Sequence, residues 1–116
     1  MGSGYADGLP EEFAVTSRRS DDLRVIALSG ELDAATVELL EQAIRKAEDE
    51  DSKTIFLDLR ELSFIDSMGL NVLLEARRRC DRIRLGPSNH DQVTRLIGLT
   101  GTDKTLGYPL AGGPAG

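Results

Sequence analysis

The alternation of hydrophobic and polar positions along the chain predicts four short strands. Residues 13–16 alternate weakly, as an edge strand does, and residues 23–28 form a stronger apolar run. The polar segment at 18–22 between these two runs suits a hairpin turn. Residues 54–59 are almost continuously apolar, which is typical of a strand covered on both faces. Residues 83–85 form a brief last strand.

Three segments after the hairpin change to a helical period. The first helix is predicted for residues 34–48, where the apolar positions recur at spacings of three and four: Val37, Leu40, Ile44 and Ala47. After a predicted turn at 60–61, a second helix starts next to Asp66 and runs to about Cys80. The third helix follows residues 88–89, a Ser and an Asn, either of which can cap it.

Strands and helices therefore alternate once the hairpin is complete. Alternation of this kind implies βαβ units, in which consecutive strands run parallel. We expect a single α/β domain at residues 13–108, with a mixed, mainly parallel sheet of four to five strands and helices packed against it. The glycine-rich ends, residues 1–12 and 109–116, show no periodicity and are expected to be flexible tails.

The charge and the single cysteine limit the possible classes of function. The 116 residues include 20 acidic and 14 basic side chains, and the net charge of −6 argues against binding to nucleic acid. No apolar run reaches the roughly 20 residues that span a bilayer, and the amino-terminal segment lacks a secretory signal pattern. Cys80, the one cysteine, fits a reducing compartment. We therefore expect a cytoplasmic protein with neither a nucleic-acid nor a membrane partner.

The residues available for catalysis are few. With one histidine, His90, and one cysteine, the chain lacks the three or four ligands of a zinc site. Ser67 has no glycine two positions before it, unlike the nucleophile elbow of hydrolases, and a catalytic triad would have to use His90. Cys80 fits a small buried hydrophobic residue, and no glycine-rich phosphate loop is present. We expect no enzyme activity, no cofactor and no metal.

Two charged features have more than one interpretation. Asp58 ends a buried strand, as the phosphorylated aspartate of response-regulator receiver domains does, but the acidic pair and the late lysine of receivers have no counterparts in the required places. A basic cluster is typical of the solvated last turn of a helix, with a docking patch for an acidic or phosphorylated partner as the alternative. Its members are Arg77, Arg78, Arg79, Arg82 and Arg84.

The tetrapeptide Asp66-Ser67-Met68-Gly69 stands where the second helix begins. Asp and Ser are favoured there because their side chains accept hydrogen bonds from the free N–H groups of the first turn. A hydroxyl at this position points outward, beside amide donors and the positive end of the helix dipole, so the fold would tolerate a phosphate on it. Gly69 leaves room for another backbone to approach closely.

These residues resemble the signature of the STAS domain, the fold of bacterial anti-sigma factor antagonists, also called anti-anti-sigma factors. The resemblance rests on three segments in register, residues 29–35, 58–70 and 87–101, and it covers most of the chain. Two positions differ from the family pattern. Met68 stands where the family usually has Ser or Thr, and Asn71 stands where Gly is common.

The resemblance implies a function and a set of partners. Ser67 would be the phosphorylation site of an antagonist that binds an anti-sigma factor with serine kinase activity and so frees a sigma factor. Phosphorylation by that kinase would end the binding, and a PP2C-type phosphatase would restore it. The partner-binding residues implied are Asp33, Asp66, Ser67, Met68, Gly69 and Asn71.

We expect the protein to be a monomer or a weak dimer. One alternative function is a STAS interaction module without phosphorylation, as part of a larger signalling or transporter assembly. Another, from a different class, is a small phosphotransfer or nucleotide-handling enzyme.

Overall fold

The structure is a computed structural model that describes residues 13–110. Its strands and helices follow one another in the order β1 (Ala14–Ser20), β2 (Leu23–Leu32), α1 (Val37–Glu48), β3 (Thr54–Ile65), α2 (Ser67–Arg79), β4 (Ile83–Leu85), α3 (Asp91–Thr100) and α4 (Asp103–Leu106). The predicted tail at 1–12 lies outside the described residues, as do residues 111–116 of the predicted tail at 109–116.

The four strands form one sheet in the order β1-β2-β3-β4. β1 pairs with β2 antiparallel, whereas β2, β3 and β4 run parallel. α1 and α2 supply the crossovers that a parallel sheet needs. This architecture confirms the predicted α/β fold with a mixed, mainly parallel sheet. Because β2 and β3 are parallel, their last residues, Leu32 and Ile65, meet at the same edge of the sheet.

The predicted turn at 60–61 is wrong, because β3 continues through these residues to Ile65. The register between β2 and β3 shifts at this point, so that β3 carries one residue more than β2 between consecutive pairs. Such a bulge bends the strand without ending it. Both residues of the predicted turn are exposed, and their polar character imitates the pattern of a turn.

Three other boundaries also differ from the prediction. β1 continues to Ser20, so that the hairpin turn is confined to residues 21–22, with Asp21 at φ 53°. β2 extends to Leu32, four residues further than its apolar run. α1 begins at Val37, because residues 33–36 form a turn before it. In β1 and β2, polar residues continue a strand through its main-chain hydrogen bonds, whereas α1 starts later because residues 33–36 form their own turn.

The carboxyl-terminal part departs from the prediction in two respects. Neither residue 88 nor residue 89 caps α3, since the N-cap is His90, whose side chain forms no capping bond. Ser88 instead donates its hydroxyl to the carbonyl of Leu62 at 2.8 Å. α4 was not predicted, because one turn of helix is too short to show a period.

The core lies on one face of the sheet, where residues from every helix and from the three parallel strands pack together. Cys80 belongs to this cluster, which confirms its prediction as a small buried residue. Each fully buried Leu or Ile contributes about 1.5–3 kcal/mol by leaving water. The members on the sheet include Ile26, Leu28, Ile55, Leu57 and Leu59, and the helices add Leu40, Ile44, Leu73, Val93, Ile97 and Leu106.

The basic cluster at the end of α2 has structural partners in the described residues. Arg82 donates to the main-chain carbonyl groups of Glu48, Glu50 and Ser52, at and just after the end of α1. Carbonyl groups at a helix end lack partners within the helix, so Arg82 satisfies groups that would otherwise need water. Arg79 also pairs with Glu48 at 3.2 Å. These contacts favour the structural interpretation of the cluster over a docking patch.

The opposite face of the sheet carries a buried carboxylate. Asp58 is 9% exposed and accepts hydrogen bonds from the Arg60 side chain at 3.0 and 2.8 Å. It lies in an open groove that Arg18, Val25 and Phe56 also line. The Arg60 hydrogen bond lowers the pKa of Asp58, against burial, which acts to raise it. The carboxylate is therefore held ionised by its own neighbour two residues along the strand.

Removal of Arg60 is expected to raise the pKa of Asp58. In the Arg60→Met variant burial of the carboxyl group remains, while its main hydrogen-bond donor is lost. In the parent protein the ionised Asp58 stabilises the fold above the ordinary carboxyl pKa, and this contribution is lost as the pH falls through the lowered value. Titration of the carboxyl carbon by NMR measures the shift directly. Arg18→Met is the matched control, with a much smaller effect, because Arg18 acts only through its charge and is the smallest of the causes that lower the pKa of Asp58. Equal shifts in both variants would contradict this assignment.

Candidate functional site

The candidate site lies where β2 and β3 end side by side. Leu32 pairs with Ile65 in the parallel register, and the next residues of the two strands are Asp33 and Asp66. The main-chain N–H of Asp66 donates to the carbonyl of Leu32 at 3.2 Å. The structure therefore brings together the two predicted acidic residues, from segments that are 33 positions apart, at one edge of the sheet.

The first turn of α2 leaves two main-chain donors without a partner inside the helix. Asp66 is the N-cap, and its Oδ1 accepts from the N–H of Gly69 at 2.9 Å. Because the Asp66 N–H donates to β2, only the N–H groups of Ser67 and Met68, of the four at the helix start, have no partner within residues 13–110. The Ser67 side chain is exposed, and within residues 13–110 its hydroxyl forms no hydrogen bond. An anion attached to Ser67 would meet free amide groups and the positive end of the helix dipole.

Gly69 fixes how closely α2 approaches the strand ends. A Cβ atom at this position would lie 2.8 Å from both Cγ and the carbonyl oxygen of Leu32, and 2.9 Å from Cγ1 of Ile65. Gly69 is buried, so it supports the start of α2 from within, and its expected role as a partner contact stays a prediction. The close approach predicted for it is made by the backbone of β2.

The Asp33 side chain is engaged in the turn that precedes α1. Its Oδ1 accepts from the N–H of Ala35 at 3.0 Å and lies 3.2 Å from the hydroxyl of Thr36. That hydroxyl also accepts the N–H of Asp33 and donates to the carbonyl of Glu31, each at 2.9 Å. Asp33 therefore holds the loop beside Asp66 in one conformation. Thr36 was not predicted, although Asp and Thr are both residues whose side chains commonly bond to the backbone of a turn.

The outer surface of the first turns of α2 combines polar and apolar side chains. Ser67 and Asn71 are exposed and, four residues apart, lie on the same side of the helix. Met68, between them in sequence, is 51% exposed. A single exposed apolar side chain is ordinary on a protein surface, so Met68 adds apolar area beside Ser67 but does not by itself mark a binding surface.

Gln92 of α3 also reaches this region, and nothing in the sequence indicated it. Its side-chain oxygen accepts from the N–H of Ile65, and its side-chain NH₂ donates to the carbonyl of the same residue, both at 2.9 Å. The contact joins residues that are 27 positions apart, and a polar residue beside a helix N-terminus has no pattern that would predict such a partner.

The described residues contain little that could perform catalysis. No group of three or more His, Cys, Asp or Glu side chains is placed to hold a metal ion in residues 13–110. His90 and Ser67 form no hydrogen bond with each other in this part of the chain, and the receiver-like Asp58 is paired with Arg60 on the other face of the sheet. No helix in residues 13–110 is long and apolar enough to cross a membrane.

Comparison with known proteins identifies the family. The STAS domain family model matches residues 14–106. The anti-sigma-F factor antagonist RsfB of Mycobacterium tuberculosis is 30% identical over 99 residues, which cover 84% of this chain and 81% of that protein. An anti-sigma factor antagonist from Mycobacterium paratuberculosis has a similar crystal structure, with a TM-score of 0.76 at 28% identity over 86% of this chain and 87% of the other.

A third relative is the Bacillus cell fate determinant SpoIIAA in its phosphorylated form. Its structure is similar at a TM-score of 0.58 and 28% identity, covering 83% of this chain and 86% of the other. The family model, the sequence relative and the structural relatives all cover the same central domain. This chain therefore belongs to the STAS domain family.

Proposed function

We propose that this protein is an anti-sigma factor antagonist, which binds an anti-sigma factor and so releases a sigma factor. The observation that carries the proposal is the exposed Ser67 at the start of α2, beside two acidic loops, in a STAS domain. The 30% identity to a protein named as an anti-sigma-F factor antagonist supports this role. Binding, not catalysis, is the activity proposed, and the cytoplasm is the proposed compartment.

We further propose that phosphorylation of Ser67 switches the antagonist off. A phosphate adds about −1.5 to −2 charge units. It would be placed next to Asp66 and close to Asp33, whose carboxylate is already fixed by its own turn. The added charge would repel an acidic partner surface, and the added bulk would prevent close packing against Ser67. The N–H groups of Ser67 and Met68 can accommodate the phosphate within the fold. The switch therefore needs no large rearrangement.

The proposed contact surface consists of the residues around this hydroxyl. Met68 supplies apolar area and Asn71 supplies hydrogen-bonding groups on the next turn. Asp33 and Asp66 supply charge, although each also has a structural hydrogen bond. The proposed partners are an anti-sigma factor with serine kinase activity, which both binds this surface and phosphorylates Ser67, and a PP2C-type phosphatase that reverses the modification. A monomer or weak dimer is sufficient for this mechanism.

Incubation with ATP and each anti-sigma factor kinase from its own genome tests the proposal. We expect one kinase to bind the protein and to add a single phosphate, found at Ser67 by mass spectrometry. Ser67→Ala should still bind and gain no phosphate, and Ser63→Ala, which alters a hydroxyl already bonded to Gly30 in the neighbouring strand, should be phosphorylated normally. Phosphate on another residue would overturn the proposed switch. Binding with no phosphate at all would instead assign a STAS interaction module without phosphorylation.

A further inference from the structure

The last part of β3 lacks a strand neighbour on the side of β4. β4 has three residues and pairs only with Ile55, Phe56 and Leu57 of β3. The main-chain groups further along this edge are satisfied by the segment that follows β4 and by α3. The N–H of Gly86 donates to Leu57, the N–H of Asn89 donates to Arg60, and the hydroxyl of Ser88 donates to Leu62. The segment that follows β4 therefore supplies hydrogen bonds to β3 that a further strand would otherwise supply.

Gln92 makes the final link of this series and uses both ends of its amide. It accepts from the N–H and donates to the carbonyl of Ile65, so a side chain satisfies both main-chain groups of a residue that is fully buried. On its other side Ile65 pairs with Leu32. The residue that ends β3 is therefore held from both sides, by a strand and by α3.

Ile65 also directly precedes the segment that carries the proposed phosphorylation site, Ser67. Asp66, the N-cap of α2, follows Ile65 directly. The side chain of Ile65 also packs against Gly69, so closely that a Cβ atom at Gly69 would clash with it. A shift of the Ile65 main chain would move the N-cap, and with it the direction in which Ser67 is presented. The amide of Gln92 is thus one residue away from the start of the proposed switch.

We propose that Gln92 is a positioning residue for the phosphorylation site, which couples the placement of α3 to the presentation of Ser67. This inference rests on the proposed function for the role of Ser67 but concerns a different residue on a different element. A partner that contacts α3, whose Leu99 is 78% exposed, would act on Ser67 through two hydrogen bonds. A simple structural role would instead stabilise the domain without changing the Ser67 segment selectively.

Two substitutions of similar length separate the functions of the amide. Gln92→Met keeps the reach of the side chain but removes both the donor and the acceptor. Gln92→Glu keeps an acceptor for the N–H of Ile65 and removes the donor, and it serves as the test variant if Gln92→Met folds poorly. Thr94→Val is the matched control. It deletes another side-chain hydrogen bond of α3, the one of 2.7 Å between the hydroxyl groups of Thr94 and Tyr108, and leaves the bonds to Ile65 intact.

Amide NMR on the full chain measures the effect without any partner. We expect Gln92→Met to raise hydrogen exchange at Ile65 about tenfold relative to Leu57 in the central sheet, and to shift the amide signals of Ser67 and Gly69. In Gln92→Glu the exchange protection of Ile65 should persist, because a carboxylate still accepts its N–H, while the Ser67 and Gly69 signals shift. Thr94→Val should leave all three amides at their parent values.

Phosphorylation kinetics then test the coupling to the switch. With the cognate kinase, we expect Gln92→Met to lower kcat/KM for Ser67 phosphorylation about tenfold, while Thr94→Val retains the parent value. Parent-like exchange and shifts in Gln92→Met, equal changes in Thr94→Val, or shifted amides with unchanged kinetics would each overturn the inference. If no kinase phosphorylates the parent protein, the result counts against the proposed function. The amide signals of Ser67 and Gly69 still test whether Gln92 positions Ser67, because they need no kinase.

Discussion

Replacement of Gly69 by alanine is expected to destabilise the domain by about 3 kcal/mol. The new methyl group would lie 2.8 Å from two atoms of Leu32, one of them the main-chain carbonyl oxygen, and 2.9 Å from Ile65. That carbonyl accepts the N–H of Asp66, and Leu32 is held in register with Ile65, so neither strand can move aside cheaply. Alanine ordinarily stabilises a helix relative to glycine, and the expected sign is therefore reversed by packing.

Gly98→Ala in α3 is the matched control for this prediction. Among residues 13–110, a Cβ atom there would meet only Cδ2 of Leu110, at an ordinary contact distance of 3.8 Å. With no clash, the lower entropy of the unfolded chain should stabilise the domain by about 0.5–1 kcal/mol. Urea denaturation of both variants measures the two free energies of unfolding. The packing of α2 against Leu32 would be wrong if Gly69→Ala were as stable as Gly98→Ala.

Features set by neighbouring residues were predictable from the sequence. The start of α2 followed from the capping chemistry of Asp66 and Ser67, and β4 followed from a short apolar run closed by glycine and proline. The family resemblance implied that Asp33 and Asp66 share one contact surface, and the parallel pairing of β2 with β3 accounts for their adjacency. These features depend on local hydrogen bonds or on strand order, and both leave a pattern in the sequence.

Features set by distant contacts were not predictable. The bulge in β3 depends on its register with β2, and its exposed residues 60–61 carry the same polar pattern as a turn. The contact of Gln92 with Ile65 joins two segments that approach each other only in the folded chain. The burial of Gly69 likewise depends on where Leu32 lies, because the two residues approach each other only in the folded chain. A single sequence contains no signal for these three contacts.

Substitution of Ser67 by glutamate is expected to weaken anti-sigma factor binding about a hundredfold, equivalent to nearly 3 kcal/mol. The new carboxylate would stand beside Asp66 on the exposed side of α2, where the proposed partner packs. The fold should not suffer, because a negative charge in the first turn of a helix is favoured by about 0.3–1 kcal/mol. A loss of affinity with a melting temperature that does not fall is therefore the signature expected of the switch, and isothermal titration calorimetry together with thermal unfolding measures both quantities.

Two control variants decide whether charge at this position causes the loss. Ser67→Ala should bind as tightly as the parent, because the unmodified hydroxyl forms no hydrogen bond within residues 13–110 that alanine would break. Gln42→Glu adds the same charge on an exposed position of α1 and should also bind normally. Equal weakening by Gln42→Glu would assign the effect to net charge, since the chain already carries −6. Weakening confined to Ser67→Glu would instead place the repulsion at the start of α2, where the N-cap carboxylate of Asp66 already brings one negative charge to the surface.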